Sequence, residues 1–406
     1  MKTNIFDQAI EKFLNNIESL RSTLPLVVDK ITEQRDESNN NLLAFLALEC
    51  ELDADNLNYK ISQENYRKYK ELNKKSINSN LAISITHRSF IISLISQFDT
   101  YIGDLISCIF EFKPDLIDSS DRQLTYTQLR TFDNIDDAKA YIIEKEIESV
   151  LRESHSEQFK WFENKLKIKL KEDLPIWKSF IEVTQRRNLF VHNDGKITSQ
   201  YINVCKQNGV VFDNNLKLGS QLHSDIYYFD QAFNALFEIG LKLNQVLRRK
   251  LLPDEIESAD TSFLNITFEL IANQQYILAK ELFDFANKYI RKVSNKDLEL
   301  RMHLNRAQTY KWLGNEDKCK EIINEHDWTV VNDLFKLASQ VLLDDYRNAA
   351  ITMQSIGNND KVINKVHYRD WPIFQRFRET EEFKSAYFDI YGEEQLLVDN
   401  KQSLSS

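Results

Sequence analysis

The chain has 406 residues, of which 42% are hydrophobic and 28% charged, a composition that excludes a disordered polymer and allows two or three domains with separate cores. Its formal net charge of −10 excludes a surface that binds nucleic acid all over, because holding phosphates requires a local excess of Lys and Arg. Only eight glycines and five prolines supply turns and helix breaks, so an all-α fold with short connections is expected.

The N-terminus, Met1-Lys2-Thr3-Asn4-Ile5-Phe6-Asp7, lacks a basic segment followed by a long apolar run, which points to a cytoplasmic protein without an export signal. Phe6, Ile10, Phe13, Leu14, Ile17 and Leu20 then recur at helical spacing and form a core-facing stripe. The polar run Asp36-Glu37-Ser38-Asn39-Asn40-Asn41 reads as a loop, with a new helix from Leu42 to Leu48. Residues 80 to 112 form the most hydrophobic helix, carrying Phe90, Leu94, Phe98, Tyr101 and Leu105 and ending at Lys113-Pro114. His87, Arg88, Asp99 and Asp104 interrupt it, so it reads as a core helix and no membrane partner is expected. Cys50, Cys108, Cys205 and Cys319 are far apart and never in a C-x-x-C pair, which indicates reduced thiols rather than a zinc site or disulfide framework.

Further helical patterns run over roughly 135 to 170, 175 to 193 and 222 to 251. Between the last two, Asn208-Gly209 and Asp213-Asn214-Asn215 flank Val210-Val211-Phe212, which reads as an insertion or short hairpin. Pro253 marks a boundary after the first domain, residues 1–252. A second domain is expected over 257–394, and the polar residues 395–406 as a disordered tail.

The second domain shows a weak internal repeat. Ala279, Cys319 and Ala349 each follow a short turn, and Phe283, Ile323 and Met353 stand four positions further on. Ala307, Tyr310 and Gly314 precede Cys319 where a tetratricopeptide repeat puts its small residue, its Tyr and its turn. The stretch from about 260 to 358 thus resembles tetratricopeptide repeats, in which small side chains let paired helices approach and stacked pairs bury one another's faces. Trp371-Pro372 and Phe374-Gln375-Arg376-Phe377 read as a terminal capping pair. The resemblance implies a protein partner on the repeats.

The chemistry concentrates in Arg186-Arg187-Asn188-Leu189-Phe190-Val191-His192-Asn193-Asp194. Asn188 and His192, four apart, share one helix face, and Asn193-Asp194-Gly195 stops the helix just after them. Arg187 lies instead on the stripe Phe180, Val183, Arg187, Phe190, so its guanidinium must reach water, pair with an acid or wrap toward the other two. Such a set suits RNA cleavage without a metal or cofactor: His moves the proton of an attacking 2′-hydroxyl, Arg holds the phosphate oxygens and Asn orients them.

Arg187-Asn188-x-x-x-His192 resembles the R-[N/H/D]-x-x-x-H motif of HEPN domains, all-α bundles that pair across a dimer so that two motifs face one another. Many HEPN proteins are endoribonucleases of toxin, abortive-infection, CRISPR-associated or other antiviral systems. The resemblance, carried by the motif and by the long helices of residues 80 to 250, implies a homodimer acting on RNA as an effector of antiviral defence. It makes Arg187 the phosphate binder, His192 the acid/base and Asn188 the positioning group. Where some toxin members continue with H-x-Tyr, this chain has His192-Asn193-Asp194, so regulation through that tyrosine is not implied. Three alternatives stand beside it: a structural knot in which Arg187 pairs with an acid and His192 caps its helix, a noncatalytic dimeric adaptor, and a nucleotide-binding HEPN protein that cuts no RNA.

Arg186, Lys171 and Lys178 are candidates for guiding an RNA backbone, with Trp161 and Trp177 available for stacking. The interspersed Glu163, Glu172, Asp173 and Glu182 favour a solvated helix face instead. His87-Arg88 could reach the centre, but His87 reads as a satisfied core histidine, and Arg248-Arg249-Lys250 as dipole compensation at a helix end. His155, His303, His326 and His367 lack metal-ligand spacing, and no Gly-rich phosphate loop is present, so neither a metal nor a P-loop nucleotide site is expected.

Overall fold

A computed structural model of the chain describes residues 5–53, 58–117, 123–172, 174–212, 216–290, 292–358 and 363–393. The fold is all-α: among the described residues, sixteen α-helices accompany a few 3-10 turns and a single pair of two-residue strands. Two compact units comprise Met1–Leu251 and Leu252–Ser406. Asp173, the turn at Asp213–Asn215 and the tail from residue 395 lie outside the described residues.

In the first unit, α1 (Ile5–Glu49) packs along α2 (Tyr66–Phe112). They are joined through β1 (Glu51–Leu52) and β2 (Tyr59–Lys60), which pair antiparallel with Glu51 opposite Lys60. The loop expected at Asp36–Asn41 does not form; α1 runs straight through it. Poor helix formers cost only about 0.5 kcal/mol each, and here α2 supplies polar partners: Ser76 Oγ and Asn80 Nδ2 donate to Asn39 Oδ1 at 2.6 and 3.2 Å. α2 also starts fourteen residues before the position 80 read from its apolar pattern, because its first turns are polar. By length and composition it is the one helix among the described residues that could cross a membrane, with 28% of its apolar window buried in the chain. Only its later part is the expected core helix, since Ile77, Leu81 and Ile85 stay exposed.

The helices α3 (Tyr126–Leu129), α4 (Ile135–Arg152), α5 (His155–Leu166), α6 (Trp177–His192), α7 (Ser199–Gln207) and α8 (Ile226–Leu251) complete this unit. The pattern read as one stretch over 135 to 170 is two helices, because Glu153 is extended and Ser154 caps α5 by accepting from the Glu157 amide. Where a hairpin is expected near Cys205–Gly219, α7 covers the first part and no strand forms among the described residues. Val210 and Phe212 serve as side-chain cover for the small core of Leu189, Ile197, Tyr201 and Cys205 instead of pairing as a strand.

Phe98 of α2 is fully buried, edge-on to Phe13 of α1 and Phe180 of α6, a burial that contributes roughly 2 to 3 kcal/mol. α1 and α8 approach so closely at Gly240 that a Cβ there would sit 2.7 Å from Phe13. Arg248 is fully buried and makes a two-pronged ion pair with Asp7, so this residue ties α8 to α1 rather than compensating a helix dipole.

The second unit contains α9 (Ile256–Ala272), α10 (Tyr276–Tyr289), α11 (Lys296–Trp312), α12 (Glu316–Ile323), α13 (Asp333–Leu342), α14 (Tyr346–Ile356), α15 (Lys365–Asp370) and α16 (Glu381–Tyr391). Three helix pairs, α9/α10, α11/α12 and α13/α14, share one turn. Its middle residue is left-handed in each case, Gln274, Gly314 and Asp344, with φ of 58°, 80° and 60°. The next amide reaches back five residues to a helix carbonyl: Gln275 to Leu270, Asn315 to Tyr310 and Asp345 to Gln340. Ala279, Cys319 and Ala349 follow at equal distance and are buried, as are Phe283, Ile323 and Met353. Lys311, 2% exposed at its side chain, donates to the Leu342 carbonyl at 2.7 Å and to Asp344 at 2.5 Å, clasping the second pair to the third. Phe374 and Phe377 close the core below them.

Candidate functional site

Helix α6 carries the site, and its end is built from local chemistry. After His192 the Asn193 and Gly195 amides both donate to the Leu189 carbonyl at 2.9 Å, and Asp194 and Gly195 take φ of 49° and 75°. Gly195 is required there twice over, since a Cβ would lie 2.8 Å from Gln221 Nε2 and 3.0 Å from the Leu222 carbonyl oxygen. Arg88 of α2 holds this stop from outside, donating to Asp194 Oδ1 at 2.6 Å and lying over Phe190. Its neighbour His87 is buried and bonds the Ile83 carbonyl at 2.9 Å.

Arg187, Asn188 and His192 all line one cleft of about 450 Å³. Asn188 and His192 present side chains that make no hydrogen bond or ion pair among the described residues, and His192 is exposed at the rim. Arg187 has a partner: its Nη2 donates to Asp99 Oδ2 at 3.1 Å, while its Nε is buried without one. Of the three routes open to the guanidinium, pairing with an acid is therefore the one taken, within the cleft. The acid itself is shared, because His155 Nε2 bonds Asp99 Oδ1 at 2.9 Å. A carboxylate can only accept, so that nitrogen carries the proton. Gln158, whose Oε1 is buried and unpartnered, Thr198 and Tyr201 contribute further polar wall.

Sequence reasoning missed Asp99 and His155 as members of this cleft. The available signal was a charged residue on the apolar face of a core helix; nothing local marks His155, which stands 32 positions before Arg187 and meets it only through the packing of α2, α5 and α6.

Arg186 does not line this cleft. It points to the other side of α6, where its Nε donates to Glu182 at 2.7 Å, its Nη1 donates to the His223 carbonyl and its guanidinium stacks on Tyr228 at 3.9 Å. Glu182 also accepts from Tyr201 at 2.7 Å and from Tyr228 at 2.8 Å, so α6, α7 and α8 are knotted at one carboxylate. Burial, and then the negative charge of Glu182, push both tyrosines well above the ordinary phenol range. Burial pushes the adjacent Cys205 thiol up to about 12, with Glu182 adding to it.

The other basic candidates also fall outside the cleft lining. Lys171 pairs with Glu163 at 3.2 Å beside Trp177, and Lys178 borders a separate depression with Gly209 and Tyr228. The tryptophans offered for stacking are engaged: Trp177 is buried with its Nε1 on Asn208, and Trp161 donates to Glu146. In the second unit His303 and His326, 23 apart in sequence, come into edge contact with centroids 4.2 Å apart. Among the described residues no group of three or more His, Cys, Asp or Glu side chains is disposed to hold a metal.

No protein-family model, curated protein or solved structure matches the chain.

Proposed function

We propose that the chain is a metal-independent endoribonuclease whose site is the cleft at the end of α6. The observation that carries this reading is that Arg187, Asn188 and His192, the residues of the R-N-x-x-x-H pattern, line a single cleft whose rim histidine is exposed and has no partner among the described residues. In the reaction the 2′-hydroxyl oxygen attacks the adjacent phosphorus, its proton passes to His192, and the bond to the 5′-oxygen breaks as that oxygen is protonated. Arg187 neutralises the charge that builds on the phosphate oxygens, and Asn188 orients them. One imidazole makes one transfer at a time, so a homodimer through the HEPN-like first unit would bring a second His192 to the same phosphate.

By the same reading the protein acts in the cytoplasm as an effector of antiviral, abortive-infection defence, with the tetratricopeptide-like second unit receiving a protein partner or trigger. A net charge of −10 supports a nuclease that does not bind RNA indiscriminately. The Asp99–Arg187 ion pair favours a second reading, a noncatalytic dimeric adaptor in which this arginine is structural.

Wild type and His192→Ala, incubated with total RNA and tRNA in EDTA, decide between them. Cleavage by wild type alone is expected; identical behaviour of the two sinks the ribonuclease. Sedimentation should find a dimer, and a monomer at micromolar concentration removes the paired-site mechanism.

A further inference from the structure

We propose that His155 is a positioning residue of the cleft: by occupying one oxygen of Asp99, it keeps the Arg187 guanidinium open to an anion. This rests on the ribonuclease reading for its purpose, though not for its geometry.

An arginine and a carboxylate left to themselves close as a fork on a fork, with two parallel N–H···O bonds that use both oxygens and one edge of the guanidinium. That closed pair would take the Nε–H and one Nη–H out of the five donors and leave a phosphate only the opposite edge. Here the closure is blocked. Asp99 gives Oδ1 to His155 Nε2 at 2.9 Å and only Oδ2 to Arg187 Nη2 at 3.1 Å. The Arg187 Nε consequently has no acceptor, although it is buried. Asp99 and Arg187 retain 30% and 23% side-chain exposure, so the pair itself stands at the cleft surface, whereas His155 behind it retains 7%.

His155 is well built for this. It is the first residue of α5, directly after the Ser154 cap, and its ring is wedged between Phe98 at 6.0 Å and, edge-on, Phe180 at 5.5 Å. Phe180 lies on α6 seven residues, or two turns, before Arg187. One helix thus supplies both the wall that fixes the imidazole and the guanidinium that depends on it. Phe98 adjoins Asp99 in α2, so the three parts of the device, His155, Asp99 and Arg187, are each set by a core aromatic.

The test follows the Arg187 Nε–H signal of the full-length protein by NMR while inorganic phosphate is added, with Arg187→Lys giving the assignment. In wild type the signal shifts on phosphate addition. In His155→Leu, Asp99 closes on Arg187, the Nε–H gains an acceptor, and phosphate affinity falls about tenfold. His155→Gln, which still donates to Asp99, keeps affinity within about threefold of wild type. The double variant His155→Leu with Asp99→Asn recovers phosphate binding, a rescue that loss of mere structural support does not give. Unchanged affinity in His155→Leu, or no recovery in the double variant, overturns the proposal. Should His155→Leu fail to fold, His155→Asn, whose shorter amide falls short of Asp99, replaces it with the same outcomes. On RNA, His155→Leu lowers kcat about tenfold to a hundredfold with little change in KM. If His192→Ala cuts RNA as wild type does, the ribonuclease reading falls while the phosphate titration still decides the role of His155.

Discussion

Arg186 and Arg187 are adjacent on α6, yet the two faces they occupy follow opposite rules. On one face Arg186 sits against Glu182, Tyr201 and Tyr228, where Glu182 gathers the arginine and both phenol hydroxyls and ties three helices together. On the other, among the described residues, Arg187 is held by a single bond beside Asn188 and His192, which have no side-chain partner, and next to the orphaned Gln158 Oε1. A rotation of about 100° per residue separates the arginines, and that rotation puts one in a knot of three helices and the other at the cleft. Saturated polar groups hold a fold together; unsatisfied ones at a cleft are what a ligand can complete.

The contrast can be broken by experiment, beginning with the largest effect. His192→Ala should lower RNA cleavage by about a hundredfold or more, while urea unfolding moves by less than about 0.5 kcal/mol because the side chain is exposed and unpartnered; a large stability loss would place His192 in the framework. Glu182→Leu should do the reverse. It strands Arg186 and two phenol hydroxyls in a knot that is only about one-sixth exposed, costing roughly 2 to 4 kcal/mol in denaturant unfolding, somewhat less than a fully buried pair. A neutral result there would dissolve the distinction between the faces.

Replacing each arginine by lysine sharpens the comparison at intermediate size. Arg187→Lys should reduce cleavage about tenfold with stability preserved, and Arg186→Lys should cost about 1 kcal/mol of stability through its lost stacking on Tyr228 and its lost bond to the His223 carbonyl, with cleavage following only the folded fraction. Equal activity losses would count against two separate roles. The smallest effect lies in alkaline titration. The folded pKa values of Tyr201 and Tyr228 are raised above the unfolded value near 10, so their contribution is fully present below pH 10 and fades as pH climbs from there toward the folded values. Phenolate absorbance from these two residues should appear only together with unfolding, and Tyr228→Phe should make the alkaline transition shallower.

Much of this was legible in the residues. The all-α class follows from scarce glycine and proline, and the stop after His192 from Asn193-Asp194-Gly195. The common turn of the three helix pairs is signalled by Gly314 and only faintly by Gln274 and Asp344, since those side chains rarely adopt positive φ. The polar run at Asp36–Asn41 misled because its partners, Ser76 and Asn80, lie on another helix. Trp177 and Arg186 misled for a related reason: an aromatic or a cation read along one helix looks available until Asn208 or Glu182 is seen to claim it.

What the sequence alone determined is whatever depends on neighbours within a turn or two: the helical class, the stop of α6, and the alignment of Asn188 with His192 on one face. Only the tertiary structure decided which acid meets which base. Asp99, His155 and Arg187 come from three helices, and the sharing of one carboxylate between an imidazole and a guanidinium depends on distances of about 3 Å set by the packing of Phe98 and Phe180. Local pattern fixes where a side chain points along its own helix; the hydrogen bond it finally makes is fixed by which other helix the core brings against it.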